Sequence, residues 1–502
     1  MKKAIALILA LCMLAMAGCA ATPAPTTTAK PTDALTQTTQ APTKPATEPT
    51  EPATEPTEPA EPTLEEKMDD YWYNQLDANL KDSAGYPHGA EGMGAVIVAL
   101  KDGKVVFEKA YGYAHYYDAA EGSSYANPVY EKIDNPREMT VDTLFDLASV
   151  TKVMATTQSI MVLVDRGLIS VDDKVATYLP GFEANGKGDI TIAQLLTHSS
   201  GLPQWEATFL YCNNKAEQLE YIKNLKLVPE FKTDGSEPKY SDFSFMTLGF
   251  IVEAVSGQDM DVFVKENVYI PLGMTNTTYK PLENGFTKDQ IAATSLGNPY
   301  EYRMVDQANW SVGYDCTKDV DAFAAFDGWR NYTLIGEVND GNAGMGGKGV
   351  AGHAGLFSTA SDLAILLQCM LNGGEYNGVR IYSEDTVKLF TSKHTTYQEN
   401  HVKADGVTPV LSEEFGYGFK LDQSWMGASA TENVFGHDGF TGTTVFADPD
   451  NNYVFVCLTN KMQAGFRQST TNGHEKDVSN YYNTNSWVSW NMNQIVKDEL
   501  GI

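Results

Sequence analysis

The chain has 502 residues, 42% hydrophobic and 11% aromatic, enough apolar material for a sizeable core. Its 36 basic and 65 acidic side chains give a formal charge of −29, and a surface that acidic repels phosphate backbones and argues against a nucleic-acid partner. Six cysteines in this length exclude a disulfide-scaffolded protein, and no C-x-x-C or Cys/His cluster points to a metal or other cofactor.

Residues 1–19 read as an address. Met1-Lys2-Lys3 precedes an apolar run too short to span a bilayer comfortably, as in an export signal. The run ends in Met16-Ala17-Gly18-Cys19, which resembles a bacterial lipobox with Met in place of the commoner Leu. Cys19 is therefore the expected lipidation site and the new N-terminus. Residues 20–63 hold ten of the 22 prolines, no aromatic residue and repeated Thr-Glu-Pro units. This composition cannot bury apolar area and favours polyproline II. As a spacer it reaches on the order of 130 Å from a membrane. The charge divides into +2 from the signal, −4 from the tether and −27 from the rest.

The folded part is expected over 64–502. Gly94–Leu100 and Lys104–Ala110 are β-rich runs joined by Lys101-Asp102-Gly103, a hairpin signal. Thr151–Asp165 reads as a buried helix closed by Arg166-Gly167. Residues 168–348 mix short helices with loops and read as a mainly helical insert. Ser358–Leu371 is a further helix. Strands return at 416–420, 442–446 and 453–458, and a helix over about 487–500 closes the chain. Strands at both ends with helical sequence between them predict an α/β (α+β) domain. Its antiparallel sheet is built from both termini, flanked by helices and interrupted by the insert. Cys369 and Cys457 lie in apolar runs and are expected as buried thiols; Cys212 and Cys316 lie in polar surroundings where pairing stays open.

G-x-S-x-G and H-E-x-x-H are absent. Gly344-Met345-Gly346-Gly347-Lys348-Gly349 formally fits G-x-G-x-x-G but lacks a preceding strand and a βαβ unit. Ser149-Val150-Thr151-Lys152 is an S-x-x-K motif. Residues three apart share a helix face, so the ammonium stands beside the hydroxyl, and serine needs such a neighbour to act as a nucleophile. Ser236-Glu237-Pro238-Lys239 also fits, but its proline opposes a helical face.

Tyr240-Ser241-Asp242 follows Ser149 in the chain, and His437-Asp438-Gly439 follows later. With FDLASVTK (145–152), LLTHSSGLP (195–203), PLGMTNT (271–277) and GVAGHAGLFSTASDLA (349–364), the chain resembles the serine β-lactamase and penicillin-binding superfamily. The likeness is to its class C β-lactamase, DD-carboxypeptidase and esterase branch, over roughly residues 90–460. The resemblance implies a β-lactamase/transpeptidase-like fold and an acyl-enzyme hydrolase needing no cofactor. Ser149 matches the nucleophile, Lys152 the partner that lowers its proton affinity, and Tyr240 the general base. His437 stands where the third motif usually has Lys, to orient Tyr240 or receive a substrate carboxylate. The backbone N–H groups of Ser149 and Phe440 would form the oxyanion hole, with Gly439 and Asp242 beside the substrate.

Two departures bear on the substrate. His437 in place of Lys replaces a fixed charge by one expected to titrate near neutrality. Asp242 stands where Asn usually donates to the substrate amide, which an ionised carboxylate cannot do. D-alanyl-D-alanine stem peptides of peptidoglycan lead as substrates, followed by small acyl esters and then β-lactams. A penicillin- or muropeptide-sensing lipoprotein is the non-enzymatic alternative. The acidic body opposes an anionic peptide and favours a neutral ester. His198 and His353 read as structural hydrogen-bonding residues, and Tyr71-Trp72-Tyr73, Tyr111, Tyr113 and Tyr116 as packing residues rather than a sugar-binding surface. The oligomeric state is not legible.

Overall fold

Helix α1 (Leu64–Asp70) begins where the proline-rich composition ends. Thr63 accepts from the Glu66 backbone N–H, and the Glu66 carboxylate accepts from the Thr63 N–H at 2.8 Å, forming a capping box. A computed structural model describes residues 61–76, 92–124, 128–228, 238–306, 316–397, 413–427, 431–464 and 482–502. The expected export signal, Cys19, residues 20–60 of the expected tether and Ser236 lie outside them.

Strands β1 (Gly94–Lys101) and β2 (Lys104–Ala119) form the expected hairpin. Asp102 and Gly103 both have positive φ, 53° and 72°, as a two-residue turn matching strand twist requires. β2 runs nine residues past the expected end, through Tyr111, Tyr113 and Tyr116, and pairs with β3 (Tyr130–Glu138). No apolar alternation announces β3; it is a charged, largely exposed edge. The chain then passes through helices α2 (Thr157–Asp165), α3 (Asp242–Ser256) and α4 (Ala360–Leu371). It returns to the sheet as β4 (Thr395–Tyr397), β5 (Glu413–Phe415), β6 (Lys420–Leu421), β7 (Phe435–Gly439), β8 (Thr443–Asp448) and β9 (Tyr453–Thr459). Helix α5 (Tyr482–Leu500) ends the chain. The nine-stranded order is β4-β5-β6-β7-β8-β9-β1-β2-β3, every neighbour antiparallel, so the first and last strands pair at its centre.

β1 is an unbroken apolar run because both its faces are covered. Val96, Val98 and Leu100 join one core with Ile160 and Leu163 of α2 and Leu363 and Leu367 of α4. Ala95, Ile97 and Ala99 face the other way, with Met68, Trp72 and the α5 residues Val488, Met492 and Val496. Trp72 stacks on Tyr111 at 5.1 Å, so these aromatics pack the core as expected, while Tyr73 stays exposed. Among the described residues of 168–348, short helices alternate with loops, as expected, and the strands are Thr278–Tyr279, which pairs with Leu356–Ser358, and Ala293–Leu296 on Thr333–Ile335. No helix among the described residues is long and apolar enough to cross a membrane.

Two expectations need correction. Residues 416–420 are not one strand: Gly418 (φ 90°) turns the chain between β5 and β6 and donates its N–H to Leu196 O. A Cβ there would meet Thr157 Oγ1 at 2.1 Å, so glycine is required. The helix expected over 151–165 is a composite, a π-helical turn over Lys152–Thr156 leading into α2. Cys212, Cys369 and Cys457 are buried free thiols, and burial pushes the last two up to about 12.

Candidate active site

Ser149 sits at the end of a two-residue strand, Phe145–Asp146, which pairs with Leu356–Ser358. A 3₁₀ turn, Ala148–Val150, carries the serine. Ala148 is held at φ 45°, a left-handed conformation that costs a non-glycine residue about 1–3 kcal/mol. Several bonds impose it. The buried Asp146 carboxylate accepts from Ala148 N–H (3.0 Å) and Asn339 N–H (2.7 Å). Thr441 Oγ1 donates to Asp146 O, and Thr443 Oγ1 to Leu147 O. Burial raises the Asp146 carboxyl to about 6 despite these donors.

The 3₁₀ turn eclipses positions three apart, and the S-x-x-K pair meets as its spacing requires. Lys152 is fully buried. Its Nζ donates to Ser149 Oγ (3.1 Å) and His353 O (3.0 Å) and lies 2.7 Å from Asp242 Oδ1. Burial moves Lys152 below its ordinary value, against the pull of Asp242. The aspartate that departs from the family's asparagine is therefore the counterion of the catalytic-motif lysine. His353 Nε2 contacts Asp340 Oδ1 at 2.9 Å. Asp242, Asp340 and His353 bring donor atoms within 4.8 Å of one another, and the Lys152 ammonium already supplies positive charge to that cluster.

Tyr240 precedes Ser241, the N-cap of α3, and Lys152 Nζ stands 4.8 Å from its ring centroid. A second ammonium, that of Lys420 on β6, lies 5.6 Å from the same ring and 2.8 Å from Asp438. The His198 ring lies 4.5 Å from Tyr240 on one side, and the His437 ring 6.0 Å away. His437 Nδ1 faces Asp438 O at 2.6 Å; a carbonyl only accepts, so the imidazole carries its proton on Nδ1. Burial, then Lys420, push His437 far below the ordinary imidazole range, to about 3. The expected titration near neutrality is thus corrected: burial and the nearby Lys420 ammonium hold His437 neutral there. The sequence signal of Lys420, a lysine in the Gly-Tyr-Gly-Phe-Lys run, carries no spacing that ties it to Tyr240.

Ser149, Tyr240, Asp242 and Phe440 line one cavity of about 160 Å³, which places the two expected oxyanion donors at a common wall. Gly439 is not among the lining residues. Its Cα packs against the turn that carries Ser149 so closely that a Cβ would meet Thr443 Oγ1 at 2.2 Å and Leu147 O at 2.5 Å, so a side chain has no room there. Trp205, Tyr300, Met304 and Met462 add apolar walls, and the Tyr300 and Phe440 rings pack at 4.7 Å. Glu301, also lining the cavity, accepts from Gly341 N–H (2.7 Å); burial and neighbouring Asp340 raise its carboxyl above the usual range.

The Beta-lactamase family profile matches residues 82–478. The chain belongs to the beta-lactamase family. This beta-lactamase-family serine hydrolase is 36% identical over 409 residues to "Putative D-alanyl-D-alanine carboxypeptidase" of Escherichia coli K12, covering 77% of this chain and 82% of that one. It is 36% identical over 394 residues to N-acetylmuramyl-L-alanine amidase of Bacillus subtilis 168, covering 76% and 78%. A family VIII carboxylesterase shares the fold, with a TM-score of 0.53 at 21% identity over 83% of this chain and 96% of that one.

Proposed function

We propose that the protein is a lipid-anchored, extracytoplasmic acyl-enzyme hydrolase that removes the terminal D-alanine from peptidoglycan stem peptides. The contact of buried Lys152 with Ser149 Oγ at the floor of the Tyr240-lined cavity is the observation that carries this reading. Tyr240, as phenolate beside Lys152 and Lys420, takes the Ser149 proton while Oγ attacks the peptide carbonyl carbon. Backbone N–H groups of Ser149 and Phe440 stabilise the oxyanion. The C–N bond breaks, D-alanine leaves with the proton from Tyr240, and water then cleaves acyl-Ser149 to free enzyme and shortened peptide. The carboxypeptidase relative supports this substrate, and the N-terminal motif supports anchoring through Cys19.

One observation favours a second reading. The cavity lining includes the carboxylates of Asp242, Glu301 and Asp340 and no Lys or Arg. Such walls suit an uncharged bond environment better than a terminal carboxylate, and the amidase relative supports cleavage of a muramyl-L-alanine amide, with ester hydrolysis next. Incubating the full-length protein in detergent with disaccharide-pentapeptide separates the cases by mass spectrometry. Loss of D-alanine, abolished in Ser149→Ala, is the expected result. Release of the intact stem peptide selects the amidase, turnover of p-nitrophenyl acetate alone selects the esterase, and turnover of nitrocefin selects a β-lactamase. Radiolabelled palmitate entering wild type but not Cys19→Ala tests the anchor.

A further inference from the structure

One residue of the LLTHSSGLP stretch grips the chain on both sides of Tyr240. The backbone carbonyl of His198 accepts from Lys239 N–H at 2.8 Å, and its ring Nδ1 accepts from Ser241 N–H at 2.9 Å. The clamp continues along the same stretch: Ser241 Oγ donates to Pro203 O (2.6 Å), and Asp242 N–H to Gln204 O (2.9 Å). His198 itself is buried and held at φ 55°, a left-handed conformation that histidine adopts at a cost. That conformation turns its carbonyl and its ring toward the same segment. We propose that His198 is a positioning residue that fixes the Tyr240 backbone through its two flanking N–H groups, and thereby aims the phenol at Ser149 and Lys152. The inference rests on Ser149 and Tyr240 acting as nucleophile and base.

The bond defines the protonation state. A ring nitrogen that accepts carries no proton, so the proton of the neutral imidazole sits on Nε2, which is buried and has no hydrogen-bond partner among the described residues. The rings of Tyr240, Phe245 and Phe415 enclose the imidazole, and Lys152, Lys420 and His437 are the titratable groups that act on it. Burial first, then those charges, hold it well below its ordinary value. Protonating Nδ1 would turn the acceptor into a donor facing Ser241 N–H and open the clamp.

The test measures the rate at which a fluorescent fluorophosphonate labels Ser149 in the full-length protein, as a function of pH, with Tm recorded alongside. A misplacement of about 1 Å costs on the order of a hundredfold. His198→Phe, which keeps a ring and removes the acceptor, is expected to slow labelling by about that factor and to move the inflection of its pH profile. His198→Asn keeps an acceptor at the Nδ1 position and tolerates positive φ, so it recovers most of the rate. Equal labelling by wild type and His198→Phe, or equal slowing in both variants, overturns the inference. If wild type takes no label at Ser149, the proposed function fails and this inference with it; if wild type labels and His198→Phe is unaffected, only the inference fails. Should His198→Phe not fold, ¹⁵N-histidine NMR of the wild type decides. An Nδ1 free of protons at neutral pH supports the clamp, and an imidazolium or Nδ1–H form there overturns it.

Discussion

Two lysines are fully buried on the two sides of helix-bearing sequence that follows Ser149, and they differ in what surrounds them. Lys187 Nζ is caged by three backbone carbonyls, Ala184 O (2.7 Å), Lys223 O (2.9 Å) and Leu225 O (2.6 Å), where it closes the end of the Lys215–Asn224 helix. Lys152 meets one carbonyl, a serine hydroxyl and a carboxylate. Burial moves both downward from the ordinary lysine value. Desolvation alone therefore does not make a lysine catalytic. A carbonyl cage has nothing to give or take a proton, whereas the partners of Lys152 include a nucleophile and a tunable counterion.

The largest effect that separates the pair is expected at Lys152. Lys152→Ala lowers the rate of Ser149 labelling about 10³-fold, and Lys152→Arg does not restore it, because a guanidinium stays charged and needs a wider site. Lys187→Met is expected to leave labelling in the folded protein intact but to cost about 2–4 kcal/mol in urea unfolding, since it removes a charged donor shared by three backbone carbonyls. If Lys187→Met silences labelling without destabilising, the contrast between the two lysines collapses. A subtler probe is Asp242→Asn. The aspartate raises the Lys152 value against burial, so its removal shifts the lysine inflection of the pH–labelling profile toward acid. No shift would mean that Asp242 is not the counterion.

The smallest expected effect is in stability. His198 and His437 are buried with values below their unfolded 6.5, so the unfolded chain takes up protons first as the pH falls. Each contributes stability that is full above pH 6.5 and is lost toward its folded value, at about 1.4 kcal/mol per pH unit. Asp146, raised to about 6, acts with the opposite sign, its stabilisation being lost as pH rises from its unfolded value through 6. His437→Gln should accordingly flatten the fall in Tm between about pH 6 and 4.5, and an unchanged slope would place the protonation elsewhere.

What could be read from the sequence was local. The Lys101-Asp102-Gly103 turn, the apolar β1 and the Ser149/Lys152 spacing each carry their geometry within a few residues, and all appear as expected. Tyr240 was reached through family likeness and lies in the same cavity as Ser149. His198 read as a structural hydrogen-bonding residue, as its bonds to Ser241 and Lys239 show, but its place beside Tyr240, the position of Lys420 and the charge state of His437 were not legible, because they depend on strands and loops far apart in the chain and on burial that no local pattern encodes. Strand β3 escaped because an exposed edge needs no apolar alternation, and the Gly418 turn because its cause is an approach to Thr157, remote in sequence.

The pairing of β9 with β1 at the centre of the sheet has a consequence for biosynthesis. Everything between them, including Ser149, Lys152 and Tyr240, is synthesised before the strand that completes the central ladder exists. Contacts of such sequence separation are slow to form, and β1 waits unpaired on one edge until the last tenth of the chain arrives. A chain that ends before the β7–β8 turn carries the turn around Ser149 without the hydroxyls of Thr441 and Thr443 that brace it through Asp146 O and Leu147 O.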